Sequence, residues 1–72
     1  MSIKMKNKFK NNERVVVNGY GKLTKKIYKN KKGNVILRDT YYLDYNVRLD
    51  NGIEDWFDGN CLRKLKRKRN LI

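Results

Sequence analysis

The sequence predicts an all-β chain: a small five-stranded antiparallel barrel at residues 9–65, with a basic arm at 1–8 and a basic tail at 66–72. Three observations lead there. Tyr41, Leu43, Tyr45, Val47 and Leu49 alternate with Tyr42, Asp44, Asn46, Arg48 and Asp50, the period-two pattern of a strand with one buried face. Val15, Val16 and Val17 set three β-branched residues side by side, which favours strand over helix because such side chains lose rotamer freedom against a helical turn. Turn signals recur at short intervals, so the apolar runs between them have strand length. Hairpin-linked short strands in a chain this small suit a strongly bent barrel.

Residues 1–8 are lysine-rich with no usable period and read as an extended arm, either a solubilising tail or an arm that touches phosphates. Phe9 opens the domain, and Asn11-Asn12 makes a polar turn before the first strand. Val15 and Val17 face one way and Val16 the other. Asn18-Gly19-Tyr20-Gly21 breaks that strand. Its glycine spacing does not suit a phosphate loop, which also needs a following helix. Lys22–Lys29 reads as the second strand, with Leu23 and Ile27 on one face and Thr24, Lys26 and Tyr28 on the other. Lys25 falls on the apolar face by parity, which points to a bulge or a strand end. Asn30–Gly33 reads as a turn, and Val35-Ile36-Leu37 as a third apolar run, with a kink at Asp39-Thr40. Residues 34–49 are either one long bent strand or two short ones. Asn51-Gly52 suits a tight type I′ hairpin turn. Ile53–Phe57 returns, with Tyr45, Val47, Leu49 and Phe57 as core candidates. Gly59–Leu62 suits one turn of 3₁₀ helix, and Arg63-Lys64-Leu65 a last strand; a helix over 60–72 competes with that reading.

Seventy-two residues form one domain with a small core. The usual staples are missing. A single cysteine, Cys61, excludes an internal disulfide, and with no histidine an ordinary structural zinc site is excluded too. Cys61 reads as a small buried hydrophobe. A catalytic thiol would want a base that histidine usually supplies. Ser2 is the lone serine, and the carboxylates show no calcium-loop spacing. The expectation is therefore a protein that is not an enzyme, with no cofactor, metal or small-molecule substrate. No apolar run reaches membrane-span length and no signal-peptide core follows the basic N-terminus. With a free cysteine, these features lead to an expected cytoplasmic location. Abundant lysine and asparagine without proline or histidine suggest an AT-rich genome, and with the small size a phage or mobile-element product.

Charge is the dominant global feature: 19 basic against 7 acidic residues, net +12. Its distribution says more than its sum. Asp39, Asp44, Asp50, Glu54, Asp55 and Asp58 all lie between 39 and 58, where Arg48 is the one base. Outside that segment Glu13 is the one acid. Such asymmetry creates a field that steers a polyanion to one side of the fold.

Phe9 with its turn, Arg14-Val15-Val16-Val17, Gly19-Tyr20-Gly21-Lys22-Leu23, Tyr45–Gly52 (YNVRLDNG), the aromatic strand after it and Leu62 together resemble the SH3-like small barrels. The pattern is most similar to the Tudor, KOW and chromo-barrel branch, with its V-x-V, G-x-(V/I) and Y-x-V-x-(L/F)-x-(D/N)-G layout, and covers residues 9–65. Two departures stand out. Asn11-Asn12 replaces the glycine common before the first strand, and Asp55 stands where an apolar residue is usual. The resemblance implies fold more than function, since members bind RNA, DNA, modified tails, proline-rich peptides, ribosomes and polymerases.

Nucleic acid is the leading partner. Lys22, Lys25, Lys26, Lys29, Lys31 and Lys32 load the second strand and its turn; Arg63, Lys64, Lys66, Arg67, Lys68 and Arg69 load the C-terminus. One basic face built from both would gain affinity by counterion release. Tyr20, Tyr28, Tyr42 and Trp56 are the aromatics expected outside, and Tyr28 among lysines offers a stacking surface. The alternative is a protein-binding inhibitor or adaptor acting on a host nucleoprotein complex. It would use Tyr42 and an outward Trp56 ringed by Asp44, Glu54, Asp55 and Asp58, against a basic partner. Trp56 capping the barrel's open end is the structural reading of the same residue.

Overall fold

A computed structural model describes residues 9–65. The arm at 1–8 and the tail at 66–72, with Lys66, Arg67, Lys68 and Arg69, lie outside the described residues. The chain folds as one five-stranded antiparallel sheet: β1 (Arg14–Tyr20), β2 (Ile27–Asp39), β3 (Asp44–Leu49), β4 (Glu54–Asp58) and β5 (Leu62–Lys64), with a 3₁₀ turn at Gly59–Cys61 before β5. The strands lie in the order β4-β3-β2-β1-β5. Among the described residues no helix is long and apolar enough to cross a membrane.

One face of the sheet holds the core. Phe9, Val15, Val17, Tyr28, Val35, Tyr45, Val47, Leu49, Phe57 and Leu62 form a single buried cluster, with Cys61 half-buried against it. All four core candidates on β3 and β4 are inside. Phe9 meets Tyr45 edge to face at 5.2 Å, and Tyr28 meets Phe57 likewise at 5.6 Å, the geometry that sets a ring's positive edge on its neighbour's negative face. Strand β1 is separated from β4 by two others, yet the loop after β1 reaches β4: the Lys22 amide donates to the Trp56 carbonyl. The sheet therefore curls until its two halves share one interior.

Several expected elements move. The Asn30–Gly33 turn does not form; residues 27–39 are one long strand. Gly33 pairs with Val15 on β1 and Leu49 on β3, so β2 serves both halves of the curled sheet. The expected strand at Lys22–Lys29 is a hairpin loop at 21–26 followed by the start of β2. Leu23 and Ile27, expected inside, are exposed. Strand β1 continues through Asn18-Gly19-Tyr20 and does not break there. Residues 34–49 are two strands. Tyr41, Tyr42 and Leu43 form the exposed turn between them, because the Asp39 carboxylate accepts the Tyr41 and Tyr42 amides at 3.0 and 3.3 Å. That turn chemistry overrides the alternation that would have extended β3. The β3–β4 loop spans three residues. The Gly52 amide returns to the Leu49 carbonyl, and Gly52 alone in the loop takes positive φ, 96°. This is a type I turn with a glycine bulge in place of type I′. The 3₁₀ turn and the final strand match expectation to within one residue, and the helix that competed for this region does not form over Leu62–Lys64.

Candidate nucleic-acid interface

Asp55 organises the region around the basic loop. Strand alternation puts Asp55 and Phe57 on the inner face of β4, with Trp56 outward. Asp55 is completely buried, which corrects its expected place in an exposed acidic ring. A buried carboxylate must have its oxygens satisfied. Here the Leu23 amide donates to Oδ1 at 2.6 Å, the Thr24 amide and hydroxyl donate to Oδ2 at 3.0 and 2.6 Å, and the Trp56 amide adds a fourth bond at 2.7 Å. The Tyr28 hydroxyl sits 2.9 Å from Thr24 Oγ1. Burial pushes the carboxyl pKa up, but the Thr24 hydroxyl and the three amides outweigh it, so the net shift is downward. Gly21 leaves the space for this arrangement, since a Cβ there would overlap Asp55 Oδ2. The apolar residue usual at position 55 is thus replaced by a latch that ties the β1–β2 loop to β4.

Tyr28 also changes place. It is 8% exposed and belongs to the core, so it offers no stacking surface. The cause is a β-bulge. Val17 pairs with Lys31 and Gly19 with Tyr28, which leaves Lys29 and Asn30 opposite Asn18 alone. Asn30 takes φ 52°, and its amide donates to Asn18 Oδ1 at 3.0 Å. The extra residue reverses the inside–outside parity of the strand start. Tyr28 turns in, and Ile27 turns out beside Tyr20.

The carboxylates of 39–58 are largely committed. Asp44 takes Lys22 at 2.8 Å and Glu54 takes Arg48 at 2.8 Å. Asp50 takes Arg14 through two bonds, at 2.7 and 3.1 Å. The hydrogen bond to Asp44 raises the Lys22 pKa, and that from Arg14 lowers Asp50's. Asp39 caps a turn and Asp55 is internal. Asp58 is exposed and its carboxylate makes no salt bridge among the described residues, though its charge helps to raise the Lys22 pKa. Trp56 is half-buried and pairs with Asn46 on the outer face of β4. It lies outside the buried core cluster. The expected acidic ring thereby loses Asp55 to the interior and the charges of Asp44 and Glu54 to pairing. Tyr42 is exposed on the β2–β3 turn.

The basic set divides in the same way. Lys22 is held by Asp44, and Lys64 lies 3.7 Å from Glu13. Lys25, Lys26, Lys29, Lys31, Lys32 and Arg63 are exposed, without ion pairs among the described residues. Register brings part of this set together. Val16 on β1 lies between Lys32 on β2 and Arg63 on β5. Directly paired residues share a face, so Lys32 and Arg63 flank Val16 on the outer side, two strand spacings or about 10 Å apart at the backbone. Lys29 and Tyr20 continue that face toward the loop that carries Lys25 and Lys26. The resulting cationic strip joins the two basic segments that the sequence separates by thirty residues of other character. Sequence reasoning missed Ile27 and Thr24 as members of this region; Asn30, a residue tolerant of positive φ, was the signal for the bulge that turns Ile27 outward. Compared with known proteins, the chain matches no family model, no curated protein and no solved structure.

Proposed function

We propose that this chain is a non-catalytic nucleic-acid-binding module built as an SH3-like barrel. The strand order, the curl that carries the β1–β2 loop onto β4 and the 3₁₀ turn before β5 support the barrel reading. One observation carries the function: the acids pair with Arg14, Lys22 and Arg48 and, among the described residues, leave Lys29, Lys32 and Arg63 on one face without a salt bridge. Each phosphate held by such a cation releases condensed counterions, so affinity falls as salt rises. Binding of the full chain to a fluorescein-labelled oligonucleotide across a salt series tests this. Affinity should fall steeply between low and physiological salt. Lys32→Glu with Arg63→Glu should weaken binding about tenfold or more and flatten the log–log slope by roughly 0.7 to 0.9 per lost contact. A salt-independent affinity would sink the proposal.

A second reading is favoured by the β2–β3 turn. Tyr41 is 80% and Tyr42 69% exposed, their rings edge to face at 4.6 Å beside an exposed Leu43. Such a projection suits a protein partner, as for a phage-encoded adaptor on a host nucleoprotein complex. A partner retained after nuclease treatment and lost with Tyr41→Ala and Tyr42→Ala would support it.

A further inference from the structure

The outer face carries a feature that phosphate binding alone does not require. Tyr20, at the end of β1, pairs with Ile27 at the start of β2. The neighbouring pair, Gly19 with Tyr28, turns its tyrosine into the core, so Tyr20 and Ile27 face out. They are 46% and 62% exposed. Two positions along each strand stand Asn18 and Lys29, and beyond the bulge comes the row Lys32, Val16 and Arg63. An exposed ring backed by an aliphatic neighbour therefore opens a file of uncommitted cations. From Tyr20 to the row of Lys32, Val16 and Arg63 the file runs about 13 Å at strand rise, enough for a few nucleotides.

A duplex presents phosphates on its outside and keeps its bases stacked within, so an aromatic ring on a protein face gains little from it. A single strand exposes the π-face of every base. An aromatic ring next to cations matches both parts of it, base by stacking and backbone by charge. We infer that this face selects single-stranded over double-stranded nucleic acid, with a base stacked on Tyr20 against Ile27 and the backbone following β2 toward Lys32 and Arg63. The inference rests on the phosphate-binding reading above and adds the substrate class to it.

The test is fluorescence anisotropy of the full chain with a labelled oligo-dT of about 12 nucleotides and a blunt mixed-sequence duplex of equal length. The single strand should bind more tightly. Tyr20→Ala should weaken that binding about fivefold or more with its salt slope unchanged. Tyr20→Phe, which keeps the ring, should restore it. Duplex affinity should be the same for all three proteins, which also verifies that Tyr20→Ala still folds. Equal binding of the two nucleic acids, or no effect of Tyr20→Ala on oligo-dT while salt sensitivity persists, overturns the inference and leaves phosphate binding standing. Displacement of oligo-dT by poly-glutamate at equal charge overturns it too, because the face then reads charge alone. No salt-dependent binding to either oligonucleotide removes both readings.

Discussion

The β3–β4 hairpin and the β1–β2–β5 half of the sheet carry opposite formal charge, but that contrast does not survive folding in the same terms. The hairpin and the turn leading into it, residues 39–58, hold six carboxylates against Arg48. Folding buries one, sets another on turn amides and gives three to cations, two of which arrive from elsewhere in the chain. The other half starts with its lysines and keeps most of them free. The difference shows that a segment's formal charge is not the charge of a surface. Lys22 and Arg14 reach across to the acids and mute them, while β-pairing gathers Lys32 and Arg63 around Val16 and concentrates what remains.

The comparison breaks most visibly at Asp55, the hairpin acid with a structural role. Asp55→Ala removes the acceptor for two loop amides and the Thr24 hydroxyl. It should cost about 3 kcal/mol or more, a large share of a small domain's stability, read as a lower urea midpoint. Gly21→Ala attacks the same latch from the loop side, because its Cβ would overlap Asp55 Oδ2; a loss of about 1–3 kcal/mol is expected. Acid should reproduce the effect without mutation. The folded carboxyl pKa lies below the unfolded value of about 3.9. The contribution is therefore full above that value and is lost as pH falls through about 4 toward the folded pKa. Asp55→Asn should flatten the acid limb of the stability profile relative to the parent chain.

The smallest effects sharpen the comparison. Glu54→Ala breaks an exposed pair with Arg48 and should cost about 1 kcal/mol or less by the same urea measurement. It should also raise oligonucleotide affinity by no more than about threefold, since a single exposed and screened charge changes. A gain above about tenfold would mean that the hairpin acids repel a polyanion despite their partners.

Much of the fold was readable from local residue types. Three adjacent valines, the alternation from Tyr45 to Leu49 and the turn residues at Asn11-Asn12, Asp50–Gly52 and Asp58–Asn60 act within a few residues of themselves, so strand type, the core of β3 and β4 and the last 3₁₀ turn followed from them. The failures have one physical character. Whether Asn30–Gly33 turns or continues depends on β1 and β3 supplying partners along β2. Whether Tyr28 faces in or out depends on a single bulge residue, because strand parity propagates. Asp55 was legible as an anomaly but not as a latch, since its four donors come mostly from thirty residues away.

The residue order by itself determined the all-β character, the apolar inventory for a small core and the segregation of acids from bases along the chain, because these follow from composition and short-range periodicity. Only the tertiary structure decided which charges cancel, which aromatics reach solvent and which lysines share a face. Those outcomes are set by strand register and by contacts between residues far apart in sequence, where a one-residue shift exchanges inside for outside.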